Sequence, residues 1–270
     1  MTSRPWTIRR IAAGAGRRLP LRPLRIFFPF KLWRGLFRFW LATIRAQRDE
    51  RMAMRELLEV YADAYYGMDR GAIAYDGGVH VKHRLTRYHD FFVERIRPGE
   101  RVLDVGCGKG ELAYDVAERA GATVVAIDRA SWALAFARSH FAHPSVSYVE
   151  SDALTYEVDG AFDVAVLSNV LEHIGPRVDL LRSLRTRAKA SRLLIRVPMI
   201  DRDWVVALRR ELGLPYFSDP EHEVEYTPEL LSNELAAAGW EMGEPRLVWG
   251  EIWVDATPAV EHGSGQTAAS

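Results

Sequence analysis

The sequence predicts an α/β protein built on a mostly parallel sheet, and three observations carry that expectation. Beyond residue 98, short apolar strands alternate with helical stretches, the order that lays parallel strands side by side under helices on both faces. A glycine-rich loop, Gly106-Cys-Gly-Lys-Gly110, joins the first of these strands to the helix that follows. Two carboxylates, Asp128 and Asp152, stand where the second strand ends and where the third has just ended.

The elements follow in order. Pro20, Pro23 and Pro29 punctuate the N-terminal segment, so a first helix is expected to start near Lys31. Residues 46–66 read as a continuing or second helix, with Met52, Leu57, Leu58 and Tyr61 on one side. Gly67, Gly71, Gly77 and Gly78 then suggest a loop, and a short amphipathic helix over 84–97 leads to the turn Pro98-Gly99. Strands are expected over 102–105, 123–127, 146–150, 162–167 and 193–197, with helices over 110–120, 131–140 and 177–189. Helices near 202–212 and 228–239 come next, and 246–249 with 252–256 form a closing antiparallel pair around Gly250. The stretch from Val260 to Ser270 is small and polar and reads as disordered. The organisation is therefore a basic arm over 1–48, a helical cap over 49–97, a main domain over 98–258 and a tail over 259–270.

A chain of 270 residues, 48% hydrophobic, can bury the core of one full α/β domain with short additions. Its single cysteine, Cys107, excludes an internal disulfide and fits a reducing, cytoplasmic setting. The zero net charge hides an asymmetry. Residues 1–48 hold twelve Arg or Lys and no acid, so the remaining 222 residues carry a net charge of −12. The arm lacks a signal-peptide layout, and Lys31, Arg34 and Arg38 interrupt the only run that approaches the roughly 20 apolar residues of a membrane span. On a helix, Lys31, Arg34, Arg38 and Arg45 fall within an arc of roughly 60°, and Trp, Phe and Leu fill most of the rest. Residues 26–45 thus suit three roles: a peripheral contact with the inner membrane surface, a helix packed on protein, or a clamp on an RNA backbone.

The glycine loop narrows the chemistry. Glycines let the backbone turn sharply and approach a ligand where a side chain would collide. A dinucleotide site would place a third glycine at 111, but Glu111 stands there. The pattern instead is Asp104-Val-Gly106-Cys-Gly108-Lys-Gly110, which suits a ligand with an amino-acid moiety and no pyrophosphate. Asp104 is placed to bind that moiety's ammonium, Asp128 to bind ribose hydroxyls, and Asp152 to accept from an adenine amine while Ala153 faces the ring.

Together these residues resemble the class I S-adenosylmethionine-dependent methyltransferases. The likeness covers about residues 101–200, through VLDVGCGKGEL, VVAIDRA, SDAL and FDVAVLSNVLEHI in the family's order and spacing. It implies a Rossmann-like sheet of seven strands, parallel except for the last, with S-adenosylmethionine over the carboxyl ends of the strands. It also implies catalysis largely by positioning, since the sulfonium is already an activated donor.

Ser168-Asn169-Val-Leu-Glu172-His173 leaves the fourth strand beside the expected methyl group, with Asn169 counted among the cofactor contacts. A second resemblance is to small-RNA 2′-O-methyltransferases and ubiquinone-pathway O-methyltransferases, which carry Glu-x-x-Glu-His there and bind a divalent metal. The RNA enzymes add a downstream His followed three residues later by Glu and an aromatic. Glu172, His173 and His222-Glu-Val-Glu225-Tyr226 match those positions, whereas Asn169 replaces the first Glu. The resemblance implies either a cation such as Mg²⁺ on Glu172, His173 and His222, or one of the histidines acting as a base without metal. Glu172-His173 could equally be structural, and His222 with Thr227 an ordinary loop and helix cap. In the cap, His83 or Arg84 could meet the cofactor's carboxylate, with His80 and Lys82 nearer the acceptor.

The expected function is O-methylation of a hydroxylated glycan or lipid-linked acceptor at the membrane surface. The alternatives are an RNA 2′-O-methyltransferase and a non-catalytic scaffold that keeps the fold. Neither the acceptor nor the oligomeric state can be read from the chain.

Overall fold

The computed structural model describes residues 30–157 and 159–260. Residues 1–29 of the arm and 261–270 of the tail lie outside the described residues, so the tail's expected disorder is not addressed. The described chain divides into two compact units, one holding 30–86 with 207–216 and the other 87–206 with 217–260.

The first unit is helical. Helix α1 spans Phe30–Arg45, α2 spans Glu50–Tyr75 and α3 spans Lys82–Thr86. Asp49 starts α2 by accepting the Met52 amide at 3.0 Å, an N-cap that satisfies a donor with no partner inside the helix. Contrary to expectation, α2 does not stop at residue 66; it runs through Gly67 and Gly71 for 26 residues. Each glycine disfavours helix by only about 1 kcal/mol. The favourable side includes contacts far along the chain: Arg51 donates to the Glu211 carbonyl at 3.2 Å and Arg209 to the Leu58 carbonyl at 3.1 Å. The helix ends only where Gly77 turns left-handed at φ 76°.

The second unit holds the sheet. Its strands are β1 Arg101–Val105, β2 Thr123–Asp128, β3 Val146–Glu150, β4 Val164–Ser168, β5 Arg192–Pro198, β6 Trp240–Met242, β7 Arg246–Val248 and β8 Glu251–Pro258. The order is β3-β2-β1-β4-β5-β8-β6, with β7 also on β8. β1 to β5 are mutually parallel, and β8 enters antiparallel to β5, pairing Leu193 with Ala256 through Pro198 with Glu251. β6 and β7 pair with successive stretches of β8, so they are one interrupted sixth strand rather than an extra one. Eight segments therefore build the seven-stranded arrangement. β6 is the strand that pattern reading misses.

Helices α5 Glu111–Ala120, α6 Ser131–His140, α7 Arg177–Thr186, α8 Trp204–Glu211 and α9 Pro228–Ala237 follow the expected places closely. The helix expected over 84–97 is instead two, α3 and α4 Tyr88–Val93, broken at Arg87, whose φ of 52° is left-handed. Alternation along the strands sorts the core into two faces. Leu103, Val105, Leu167, Leu193 and Ile195 point one way, and Val102, Val124, Val166 and Leu194 the other. Asp104 and Arg196 interrupt that second face, both almost fully buried. Buried charge in an otherwise apolar layer marks the carboxyl ends of β1 and β5 as chemically special.

Candidate active site

The loop after β1 is held from several sides. Cys107 donates its amide to the Ile127 carbonyl at 3.0 Å, and Gly108 donates to Asp128 Oδ2 at 2.8 Å. The other Asp128 oxygen takes the Ala130 amide at 2.8 Å, ahead of α6. The three loop glycines all have positive φ but differ in what surrounds them. A Cβ on Gly106 would lie 2.7 Å from Val170 Cγ2, and one on Gly110 would lie 2.6 Å from the Tyr148 hydroxyl. A Cβ on Gly108 would meet nothing within 4 Å. Packing thus forbids a side chain at the loop's ends, while the middle borders open space that a ligand can fill.

Asp104 is 3% exposed, and its Oδ2 has no hydrogen-bond partner. Burial, with Asp128 nearby, pushes its carboxyl up to about 8. A ligand ammonium would satisfy this atom, which is the fit expected for the methionine end of S-adenosylmethionine. Asp152, past β3, accepts the Leu154 amide at 2.8 Å and leaves Ala153 half-buried against the core. These four features (an orphaned acid, an open glycine, an acid ending β2 and another just past β3) fit the cofactor's amino-acid, ribose and base ends in order.

At the end of β4, Asn169 adopts φ 57°, donates its amide to the Arg196 carbonyl at 2.8 Å, and buries an Oδ1 without a partner. Asn tolerates this left-handed backbone better than most residues. A single 3₁₀ turn follows, Leu171–His173. Glu172 on that turn is fully buried, with neither carboxylate oxygen hydrogen-bonded. Burial raises its carboxyl to about 7, although His222 and Arg196 pull the other way.

The segment before α9 closes on this turn. Glu223 donates its amide to the Glu172 carbonyl at 2.8 Å, and His173 Nδ1 lies 3.3 Å from the Glu221 carbonyl. The rings of His173 and His222 meet edge to face at 4.6 Å. Ligand atoms of Glu172, His173 and His222 all lie within 4.8 Å of one another. Thr227 caps α9 as expected, accepting from the Leu230 amide, and Pro228 occupies its first turn.

Glu225 fixes the conformation of this segment. Its Oε1 accepts from the Ser218 amide at 2.5 Å, the Ser218 hydroxyl at 2.6 Å and His222 Nδ1 at 3.1 Å, and its Oε2 takes the Arg202 guanidinium. Burial alone would raise the Glu225 carboxyl, but these donors outweigh it and hold the group below its usual range. An ionised carboxylate only accepts, so His222 Nδ1 is the donor in this contact, and Nε2 is the ring nitrogen left to face a ligand. The Glu221 carbonyl, also only an acceptor, makes His173 Nδ1 a donor in the same way.

Behind the turn, Arg196 lies 3% exposed, forked onto Glu251 and stacked over the Tyr88 ring at 3.8 Å. Burial opposes its charge, and Glu251 more than restores it. Pattern reading missed Arg196, Glu251, Ser218 and Arg202. Only the Arg inside the apolar run Leu193–Val197 hinted at them. His83 and Arg84 belong to the helical unit, where Arg84 pairs with Asp76 at 3.1 Å and His80 with Asp69 at 3.0 Å. Among the described residues, no helix is long and apolar enough to cross a membrane.

A family model described as a methyltransferase domain matches residues 78–244. The mitochondrial ubiquinone biosynthesis O-methyltransferase of Schizosaccharomyces pombe is 31% identical over 132 residues, covering 45% of this chain and 48% of that protein. The ubiquinone biosynthesis O-methyltransferase of Burkholderia thailandensis is 30% identical over 157 residues, 54% of this chain and 67% of that one. Against several other such relatives the chain spans about two fifths of their length. A solved structure from Listeria monocytogenes, titled a putative S-adenosylmethionine-dependent methyltransferase, superposes with a TM-score of 0.51 at 17% identity, covering 65% of this chain and all of that one. That likeness shows the fold. With the glycine loop and its acids in place, the chain belongs to the methyltransferase domain family, in the S-adenosylmethionine-dependent class.

Proposed function

We propose that this enzyme methylates an oxygen, on a hydroxylated acceptor of glycan or lipid-linked type, beside the turn Leu171–His173. The observation that carries the reading is the fully buried Glu172, both oxygens unpartnered, within 4.8 Å of ligand atoms on His173 and His222. The cofactor, when bound, supplies a methyl group already activated on sulfur. The chain's part is to orient the acceptor in line with it and to handle the hydroxyl proton. Asn169 and the glycine loop stand at the ends of neighbouring strands, β4 and β1, and so border one cleft.

Glu172, His173 and His222 would hold a divalent cation, whose contribution would be to lower the acceptor hydroxyl's pKa. Two imidazole nitrogens with one carboxylate suit Mn²⁺ or a similar transition ion better than Mg²⁺, which prefers oxygen. The Nδ1 protonation of both histidines supports the reading, because it leaves each Nε2 able to ligate. The same geometry supports a second reading, in which His222, oriented by Glu225, removes the proton directly. Labelled-methyl transfer to glycan, lipid and RNA fractions, with and without a chelator, separates them. Loss of turnover on chelation, restored by Mn²⁺, is the expected result. Full turnover after exhaustive chelation would leave the histidine base and remove the metal, and transfer to nitrogen alone would remove the O-methylation reading.

A further inference from the structure

We infer that helix α1 is an in-plane membrane anchor that docks the enzyme on an anionic lipid surface. Helix α1, Phe30–Arg45, contains four cations and no acid. At about 100° per residue its cations Lys31, Arg34, Arg38 and Arg45 gather in an arc of roughly 60°. The opposite side, centred on Trp33, Leu36 and Trp40, is apolar over about 200°. On that side Leu36, Phe37, Trp40 and Trp33 are all about half exposed, and Phe39 is 72% exposed. Of the whole helix only Ile44 is buried.

The geometry selects among occupants. Among the described residues α1 does not make a span, since its 16 residues reach only about 24 Å against a hydrocarbon core of about 30 Å, and four charges would have to enter it. A two-helix seam with a second copy would use a narrow apolar stripe, whereas this face covers more than half the circumference and is mostly aromatic. A nucleic-acid backbone would engage the cations but leave the Trp33–Trp40 face in water. An anionic bilayer takes both sides at once. Trp and Phe sink to the headgroup boundary, and the cations, reaching out along their alkyl stems, meet lipid phosphates. Sequence charge adds to this, because residues 1–48 hold twelve basic residues and no acid. The inference is independent of the metal and of the acceptor's identity, and it places the enzyme where a lipid-linked hydroxyl would be found.

The test is co-sedimentation of the full chain with vesicles of phosphatidylcholine alone and of phosphatidylcholine containing phosphatidylglycerol. Binding is expected to the anionic vesicles and to weaken with salt. Each neutralised cation should weaken it about fivefold, so K31Q/R34Q/R38Q should bind roughly a hundredfold less well. W33S/W40S should also release the protein, with S-adenosylmethionine binding unchanged in both variants as the control for folding. Equal binding to neutral and anionic vesicles, or unaltered binding by the triple variant, overturns the proposal. So does a wild-type chain that ignores vesicles while W33S/W40S turns an oligomer into a monomer, or one whose α1 cations are needed only for RNA retention.

Discussion

The contrast between Gly108 and Gly110 gives the sharpest test of where the cofactor lies. Both have positive φ, 53° and 83°, so an alanine at either pays about 1–2 kcal/mol for the left-handed backbone. At Gly110 the added methyl would also sit 2.6 Å from the Tyr148 hydroxyl and 2.9 Å from Ala137 Cβ. Overpacking of that kind costs about 1–3 kcal/mol more. Gly110→Ala should therefore lose about 2–5 kcal/mol in urea denaturation, whereas Gly108→Ala should lose only about 1–2 kcal/mol, its methyl touching no protein atom. Titration calorimetry with S-adenosylmethionine should show the opposite ranking per unit of lost stability. Gly108→Ala, still folded, should bind at least about tenfold more weakly, equivalent to about 1.4 kcal/mol, because its methyl occupies ligand space. Wild-type affinity in a stably folded Gly108→Ala variant would refute the placement of the cofactor over the middle of the loop.

Two further outcomes follow from the buried carboxylates. Glu172, raised from 4.5 to about 7, is a group whose folded form prefers the proton, so it costs stability as pH rises through that window. Glu172→Gln should thus gain up to about 3 kcal/mol at pH 8 relative to pH 4 in denaturant melts of the metal-free protein, while losing turnover. A stability difference that does not change with pH would show that Glu172 is not buried as described. Glu225→Gln keeps an acceptor for His222 but loses the charge facing Arg202, and it should lower affinity for Mn²⁺ by about 10–100-fold with a smaller change in cofactor affinity. Equal loss of both affinities would make Glu225 a general support of the fold instead.

Much of the fold could be read because its signals are local. β1, β2, β4 and β5 are largely apolar runs, and the helices between the strands carry their own apolar stripes. What escaped depends on distant partners. β6 is three residues long and exists through its pairing with β8. α2 continues past Gly67 and Gly71 although local propensity argues for a break. The turn at Arg87 asks a non-glycine residue to adopt positive φ, which nothing in the neighbouring sequence announces. The site divides in the same way. Asp104, Glu172, His173 and His222 carried their chemistry in motifs, but the groups that orient them did not. Arg196 meets Glu251 only because β8 lies antiparallel to β5, and Arg202 and Ser218 matter only once the segment before α9 folds back on Glu225.

The carboxylate of Asp128, expected to read the ribose, already accepts one amide on each oxygen, from Gly108 and from Ala130. Its second lone pairs remain for a ligand, so the same side chain both shapes the loop and keeps capacity to accept from one. The entropy of ordering the loop is then lost when the protein folds, not each time a cofactor molecule arrives, which favours tight binding without slow closure. A corollary concerns how nucleoside selectivity in this enzyme could be altered. Replacing Asp128 to change ribose recognition would also release the loop, so altered selectivity would have to be engineered around that residue rather than through it.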